Sequence, residues 1–360
     1  LSHKVDQARS ILKKNFEVLI VCNFSNHEKK IKSMGFKTQN INLNRKSINP
    51  FKELICLLEL VLIVFKFKPN LIQSTALKPI LYTSIISFFF RRPKLVLCIV
   101  GLGYLFINKT FSSRIIKSLY LFLIKFFLRK KGVRFVFQNA NDKKIITNNK
   151  VCKNHKTSLI PGSGVDMKKF IKAKINKPYD LIFHSRILYD KGFLELIEAI
   201  KLVKKKNSLQ VLVLGSTDCK NRSSIDINKL KEWERQKLII WKRRRKNVIP
   251  FLQKSKIAVL PSYREGLPKS LLEAASCELP LIAANVVGCR DICLNKYNGI
   301  LVPVKNSIIL SKAISKLIKN AKLRRLYGRN GRVLVKKKFS QDIICKEFLK
   351  IYYTDLQNNP

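Results

Sequence analysis

The sequence predicts an α/β protein made of two doubly wound, Rossmann-like domains facing a cleft. Three observations carry that expectation. Short apolar runs alternate with longer stretches of helical periodicity along the whole chain, the pattern of parallel sheets with helices on both faces. The alternation breaks once, over residues 165–178, which are polar, Lys-rich and poor in aromatics. The chain's 360 residues, 46% hydrophobic and 9% aromatic, suffice for two cores and exclude disorder as the main state. The break divides the chain into a first domain over 1–168 and a second over 169–360.

In the first domain, residues 1–15 read as loop and helix, and the first strand falls at 17–22. Residue 1 is Leu rather than Met and no strand opens the chain, so the native beginning is expected to be missing. Asn49-Pro50 opens a helix running to Phe67, because Asn caps orphan N–H groups and Pro is pre-set for a first turn. A strand follows Pro69 at 70–73, then a helix at 78–90 and a strand at 95–100 ending in Gly101-Leu102-Gly103. A helix at 111–128, a strand at 134–138, a helix at 141–148 and a strand at 158–160 complete the half. In the second domain, strands are expected at 179–185, 210–214, 238–241, 257–260, 281–284 and 299–302. Helices are expected at 192–206, 223–236, 269–277, 307–319 and 323–337, with a last one over about 341–353 packing back on the first domain.

Lys and Arg total 72 against 22 Asp and Glu, a formal charge of +50. Such a charge calls for an anionic membrane surface, a nucleic acid, or a compositional cause, and the chain is rich in Lys, Asn and Ile together. A nucleic-acid-binding protein stays open as an alternative, yet the basic residues are spread along the chain without a stripe of interleaved aromatics or a known module. No nucleic-acid partner is therefore expected. A nucleotide-dependent oxidoreductase or epimerase is hinted at by Gly101-x-Gly103 and Gly162-x-Gly164, but Phe106 and Met167 stand where a third glycine belongs. The apolar runs at 54–67, 80–90 and 119–128 fall short of the roughly 18–20 residues that span a bilayer. They read as core helices, or as helices that touch a membrane face without crossing it. Nine scattered cysteines without a CxxC pair fit reduced thiols better than a disulfide framework or a metal site.

Two strand–loop–helix junctions carry chemistry. The sharper is Pro261-Ser262-Tyr263-Arg264-Glu265-Gly266-Leu267-Pro268-Lys269-Ser270-Leu271-Leu272-Glu273. Seven residues separate its two acids, which places Glu265 in the loop and Glu273 one turn into the helix. Gly266 permits close backbone approach, Pro268 starts the helix, and the N–H groups of a helix start can hold a phosphate. The other junction is His184-Ser185-Arg186-Ile187-Leu188-Tyr189-Asp190-Lys191-Gly192. Arg186 can meet a diphosphate as a bidentate fork and Lys191 as a point charge. Either junction alone is also compatible with ordinary surface charge.

Together the junctions resemble the retaining glycosyltransferases of family 4, which have the GT-B fold. The similarity takes in residues 181–192 and 241–266, then Val287-Gly288-Cys289-Arg290-Asp291 and Asn298-Gly299-Ile300-Leu301-Val302-Pro303. In the first half it takes in Leu1-Ser2-His3, Ile72-Gln73-Ser74, Gly101-Leu102-Gly103-Tyr104 and Pro161-Gly162-Ser163-Gly164-Val165-Asp166. It covers nearly the whole chain and is closest to the branch that extends polyprenyl-diphosphate-linked surface glycans. The chain departs from the family's pattern at Ser74 or Leu77, where His is common, and at Lys242, where Gly is common. The family's first strand and its glycine-containing loop are also absent from the sequence.

The resemblance implies an acceptor bound mainly by the first domain and a nucleotide-sugar bound mainly by the second. The donor it implies is a UDP-hexose or UDP-N-acetylhexosamine, and the acceptor a lipid-linked glycan, with retention of configuration. It implies catalytic roles for Glu265, Arg186 and Lys191, the acid touching the donor sugar and the bases holding the diphosphate. Glu273 grips the ribose, and Gly266, Leu267, Lys269, Gly101 and Gly103 lie along the donor. His3 and Gly164 border the acceptor. Breaking a sugar–diphosphate bond leaves negative charge that must be met as it develops. Arg186, Lys191 and a helix N-terminus can meet it, and no Asp-x-Asp stands at a strand end, so neither metal nor cofactor is expected. The expected location is cytoplasmic, peripheral on the anionic inner face of the plasma membrane.

Overall fold

The computed structural model describes every residue except 1–3, 25–26, 45–48, 91, 103–105, 107–109, 129–131, 153–154, 219–220, 222 and 358–360. The first elements are α1 (Val5–Leu12), β1 (Leu19–Cys22), α2 (Glu28–Lys32), β2 (Lys37–Asn40), α3 (Pro50–Phe67), β3 (Leu71–Thr75), α4 (Leu77–Phe89) and β4 (Lys94–Ile99). Then come α5 (Phe111–Phe127), β5 (Val133–Phe137), α6 (Ala140–Asn148), β6 (Lys156–Leu159), β7 (Tyr179–His184), α7 (Phe193–Lys204), β8 (Val211–Leu214), α8 (Ile227–Arg235) and β9 (Ile240–Lys242). The chain finishes with α9 (Ile249–Gln253), β10 (Ser255–Leu260), α10 (Lys269–Ser276), β11 (Leu281–Ala284), α11 (Cys289–Ile292), β12 (Gly299–Val302), α12 (Ser307–Lys319), α13 (Ala321–Lys338) and α14 (Gln341–Gln357). Two units result: unit 1 takes Leu1–Ser163 with Ile344–Pro360, and unit 2 takes Gly164–Ile343.

Unit 1 holds a four-stranded parallel sheet in the order β3-β4-β5-β6 and a separate parallel pair, β1-β2. The two central strands, β4 and β5, are apolar at nearly every position because both of their faces are covered. On one face, Leu95, Leu97 and Ile99 of β4 with Phe135 and Phe137 of β5 pack under Ile80 of α4 and Tyr120, Leu121 and Ile124 of α5. On the other, the alternate residues Val96, Cys98 and Val136 pack under Ile344, Phe348, Ile351 and Tyr352 of α14. Arg134 on β5 fixes that helix by a bidentate pair with Asp355, at 2.7 and 2.6 Å, with both side chains largely buried. The cap read from Asn49-Pro50 is present: the Asn49 side chain accepts from the Phe51 and Lys52 N–H groups.

Unit 2 is a single six-stranded parallel sheet in the order β12-β11-β10-β7-β8-β9. Leu181, Ile182 and Phe183 of β7 and Ile257–Leu260 of β10 are buried from both faces. The order reverses between β7 and β10, the place where doubly wound sheets open a crevice beyond the strands' carboxyl ends. One expected element is shorter than its periodicity suggests. The helix expected over 223–236 begins only at Ile227, because Asp226 caps it by accepting from the Asn228 N–H while Ser224 pairs with Leu188 in a β-bridge. No helix of the described residues is long and apolar enough to cross a membrane.

Candidate active site

The two junctions singled out in the sequence leave unit 2 from adjacent strands. β7 and β10 run in parallel register, Leu181 beside Ile257 and Ile182 beside Ala258, so His184 and Leu260 finish on the same edge of the sheet. The loops that follow are stitched together. The Tyr263 N–H donates to the Asp190 carbonyl at 2.9 Å, and the Ser262 hydroxyl donates to the same carbonyl at 3.2 Å. Tyr263 also donates its hydroxyl to Glu195 of α7 at 2.5 Å. Gly192 makes the approach possible: its φ is +67°, and a Cβ there would stand 2.0 Å from the Pro261 carbonyl oxygen. Gly192→Ala is therefore expected to cost about 2 kcal/mol or more, a drop of roughly 4–8 °C in melting temperature, read by thermal denaturation. An unchanged melting temperature would mean that the two loops are not clamped here. Gly288 does the same on the other side, with a would-be Cβ 2.3 Å from the Gly266 carbonyl oxygen.

Within this frame the expected charges form two groups, Lys191 with Glu265 and Glu273 with Lys269 and His184. Lys191 lies 2.5 Å from Glu265, each side chain 13% exposed. Glu273, in the second turn of α10, is buried, with Lys269 at 4.0 Å and the His184 Nδ1 at 3.6 Å. Burial pushes the Glu273 carboxyl up to about 7, with Lys269 opposing the rise. Burial also pushes the His184 imidazole down to about 4, and its Nδ1 has no hydrogen-bond partner. At neutral pH a neutral imidazole thus faces a carboxyl poised between its two forms. Arg186 is exposed on the same loop as Lys191. Leu267 packs against the unit 2 core and Gly266 presents its carbonyl to Gly288.

Of the remaining expected residues, those that the structure describes sit each within its own unit. Gly101 follows β4 in unit 1, with φ +137° and open space where a Cβ would stand. Gly164 is buried, its missing Cβ making room for the Gln341 backbone at 2.7 Å, a packing need inside unit 2. Gly103 and His3 lie outside the described residues. His184, which sequence reasoning did not assign to the site, is the last residue of β7. Its position at a strand's carboxyl end, beside the Arg/Lys loop, was the available signal. Among the described residues, no group of three or more His, Cys, Asp or Glu side chains is arranged to hold a metal ion.

Comparison with known proteins identifies the family and the fold. Residues 165–334 match the glycosyl transferases group 1 family, and residues 2–139 match the glycosyl transferase 4-like family. The chain is 26% identical to the N,N'-diacetylbacillosaminyl-diphospho-undecaprenol alpha-1,3-N-acetylgalactosaminyltransferase of Campylobacter jejuni, over 95% of this chain and 92% of that protein. It is 28% identical to the capsular polysaccharide biosynthesis glycosyltransferase CapM of Staphylococcus aureus, over 98% of this chain and 94% of that one. In three dimensions it superposes on the sucrose-phosphate synthase of Thermosynechococcus elongatus with a TM-score of 0.80, covering 98% and 92% of the two chains at 16% identity. The chain is accordingly a glycosyltransferase of the GT-B fold, belonging to the group 1 glycosyl transferases through residues 165–334 and to the glycosyl transferase 4-like family through residues 2–139.

Proposed function

We propose that this glycosyltransferase moves a sugar from a UDP-hexose or UDP-N-acetylhexosamine onto a lipid-linked glycan, with retention of configuration as in family 4, during surface-polysaccharide synthesis. The observation that carries the reading is that the Lys191–Glu265 pair and the buried Glu273 both stand on the junctions that follow the adjacent strands β7 and β10. Two relatives support the acceptor class, one named for a diphospho-undecaprenol substrate and one for capsular polysaccharide.

In this reading the ribose hydroxyls donate to the Glu273 carboxylate, and Lys191 and Arg186 take the diphosphate. The bond between the anomeric carbon and the diphosphate oxygen breaks with its electron pair going to the diphosphate. Lys191 and Arg186 meet that charge as it forms, so no metal is needed. The acceptor hydroxyl forms the new bond on the face the diphosphate leaves and passes its proton to the departing diphosphate oxygen, and Glu265 orients the sugar. The lipid-linked acceptor puts the enzyme at the anionic cytoplasmic face of a membrane. Thermal shift against a panel of sugar nucleotides, followed by transfer onto a polyprenyl-diphosphate sugar with and without EDTA, tests the reading. A UDP-sugar is expected to stabilise the protein, transfer to survive EDTA, and Arg186→Ala to lower turnover about 10²–10³-fold. No response to any sugar nucleotide, or loss of transfer in EDTA, would overturn it.

A further inference from the structure

About half of the exposed large apolar side chains among the described residues sit on three helices of unit 1. On α3 they are Phe51, Leu54, Ile55, Leu58, Leu62 and Phe65, each more than half exposed. At about 100° per residue they fall on one arc of about 100°, a stripe that a globular protein ordinarily turns inward. Here a different side of α3 is inward, through Cys56 and Val64. On α5, Phe111, Ile115, Ile116, Leu119 and Phe122 form a second outward stripe, each again more than half exposed, while Tyr120, Leu121 and Ile124 face the core. α4 packs against both helices, with Tyr82 in the α3 cluster and Ile80 in the α5 cluster. At its end Phe88 stacks on Phe126 of α5, ring centroids 6.2 Å apart.

The charges on these helices are sorted. Lys52 and Lys66 of α3 and Arg114 and Lys125 of α5 are exposed. The acids of α3 are turned to protein partners: Glu53 meets Lys78 at 2.6 Å, and Glu59 accepts from the Asn42 backbone at 3.2 Å. α5 contains no acid. An apolar stripe edged by exposed bases, with the neighbouring Glu59 held by Asn42, is complementary to anionic lipid, in which the acyl boundary takes the stripe and the headgroups take the bases. A second copy of a chain with a formal charge of +50 would bring like charge against that edge.

We propose that α3 and α5 form a membrane-docking face whose apolar stripes lie in the headgroup–acyl boundary of an anionic bilayer, with Lys52, Lys66, Arg114 and Lys125 on its phosphates. The inference rests on the reading that the acceptor is lipid-linked, and it adds which surface meets the lipid and how deeply. Attachment through buried apolar area outlasts salt, whereas attachment by charge alone does not. Flotation with phosphatidylglycerol/phosphatidylethanolamine vesicles at 0.1 M and 1 M NaCl tests it. The protein is expected to float at both, and Leu58→Asp with Leu119→Asp to lower the vesicle-bound partition about tenfold or more. Both sites are exposed, so the double variant is expected to keep its melting temperature and its thermal shift with UDP. Release of the wild type at 1 M NaCl, or flotation of the double variant at the wild-type level, would overturn the proposal. So would a wild-type dimer in light scattering that the double variant breaks, since a second copy would then cover the stripes. If flotation depends on these leucines while no sugar is transferred to any polyprenyl-diphosphate acceptor, the docking face stands and the functional reading falls.

Discussion

Replacing Lys191 with Met is expected to lower turnover about 10²–10³-fold and to destabilise unit 2 as well. In the proposed reaction the catalytic loss follows from removing the cation assigned to the departing diphosphate. The stability loss follows from burial: Lys191 and Glu265 are each only 13% exposed, so the single change strands a carboxylate with little water to solvate it. Breaking such a pair costs about 3–5 kcal/mol, whereas replacing both partners with uncharged groups of similar volume is often neutral. The double variant Lys191→Met/Glu265→Gln is therefore expected to regain most of the stability in chemical denaturation and none of the turnover. That contrast separates the two roles. A single variant with normal turnover and normal stability would remove Lys191 from both.

Glu273→Gln is expected to weaken binding of a UDP-sugar about 10- to 150-fold at pH 8, the loss of a charge-assisted hydrogen bond worth roughly 1.5–3 kcal/mol. It is also expected to flatten the pH dependence. Ribose hydroxyls donate to a carboxylate, and burial holds this carboxyl protonated up to about 7. Between pH 8 and pH 6 the ionised fraction falls about tenfold, so the wild-type Kd rises by about that factor while the Gln variant's stays level. Calorimetric titration at both values reads the difference, and parallel curves for the two proteins would remove Glu273 from the ribose. Stability follows its own sign. Glu273 loses its proton near 4.5 when unfolded and near 7 when folded, so its ionisation costs folded-state stability as pH rises through that window. His184 acts in the opposite sense. It takes a proton near 6.5 when unfolded but only near 4 when folded, so stability is lost as pH falls between those values.

The strands and helices of unit 2 were legible because their periodicity and their punctuation agree. Gly192 and Pro268 stand where chain direction changes, and buried runs such as Val211–Leu214 lie between them. The short elements were not legible. β2 reads Lys-Thr-Gln-Asn and is exposed or half-buried throughout, so it has no apolar alternation to announce it. α2, α9 and α11 are one turn or slightly more, too short for a helical period to register. At the site, the acids and bases could be read from two junctions, and the sequence order placed those junctions after strands. That β7 and β10 are neighbours is a fact of topology that spacing along the chain does not carry. The His184–Glu273 approach is likewise invisible in a string of letters, because it joins residues that only the sheet brings near. Gly164 shows the reverse: a motif position read for the acceptor has its own packing reason in the Gln341 backbone.

The placement of α14 has a consequence for synthesis. Residues 164–343 form a continuous piece, so unit 2 can close as soon as that piece leaves the ribosome. Unit 1 is made earlier but finished later, since Val96, Cys98 and Val136 gain their cover only when Phe348 and Tyr352 emerge. A nascent chain halted before residue 344 therefore carries a bare sheet face exposed to aggregation, and chaperones have most to guard during that interval.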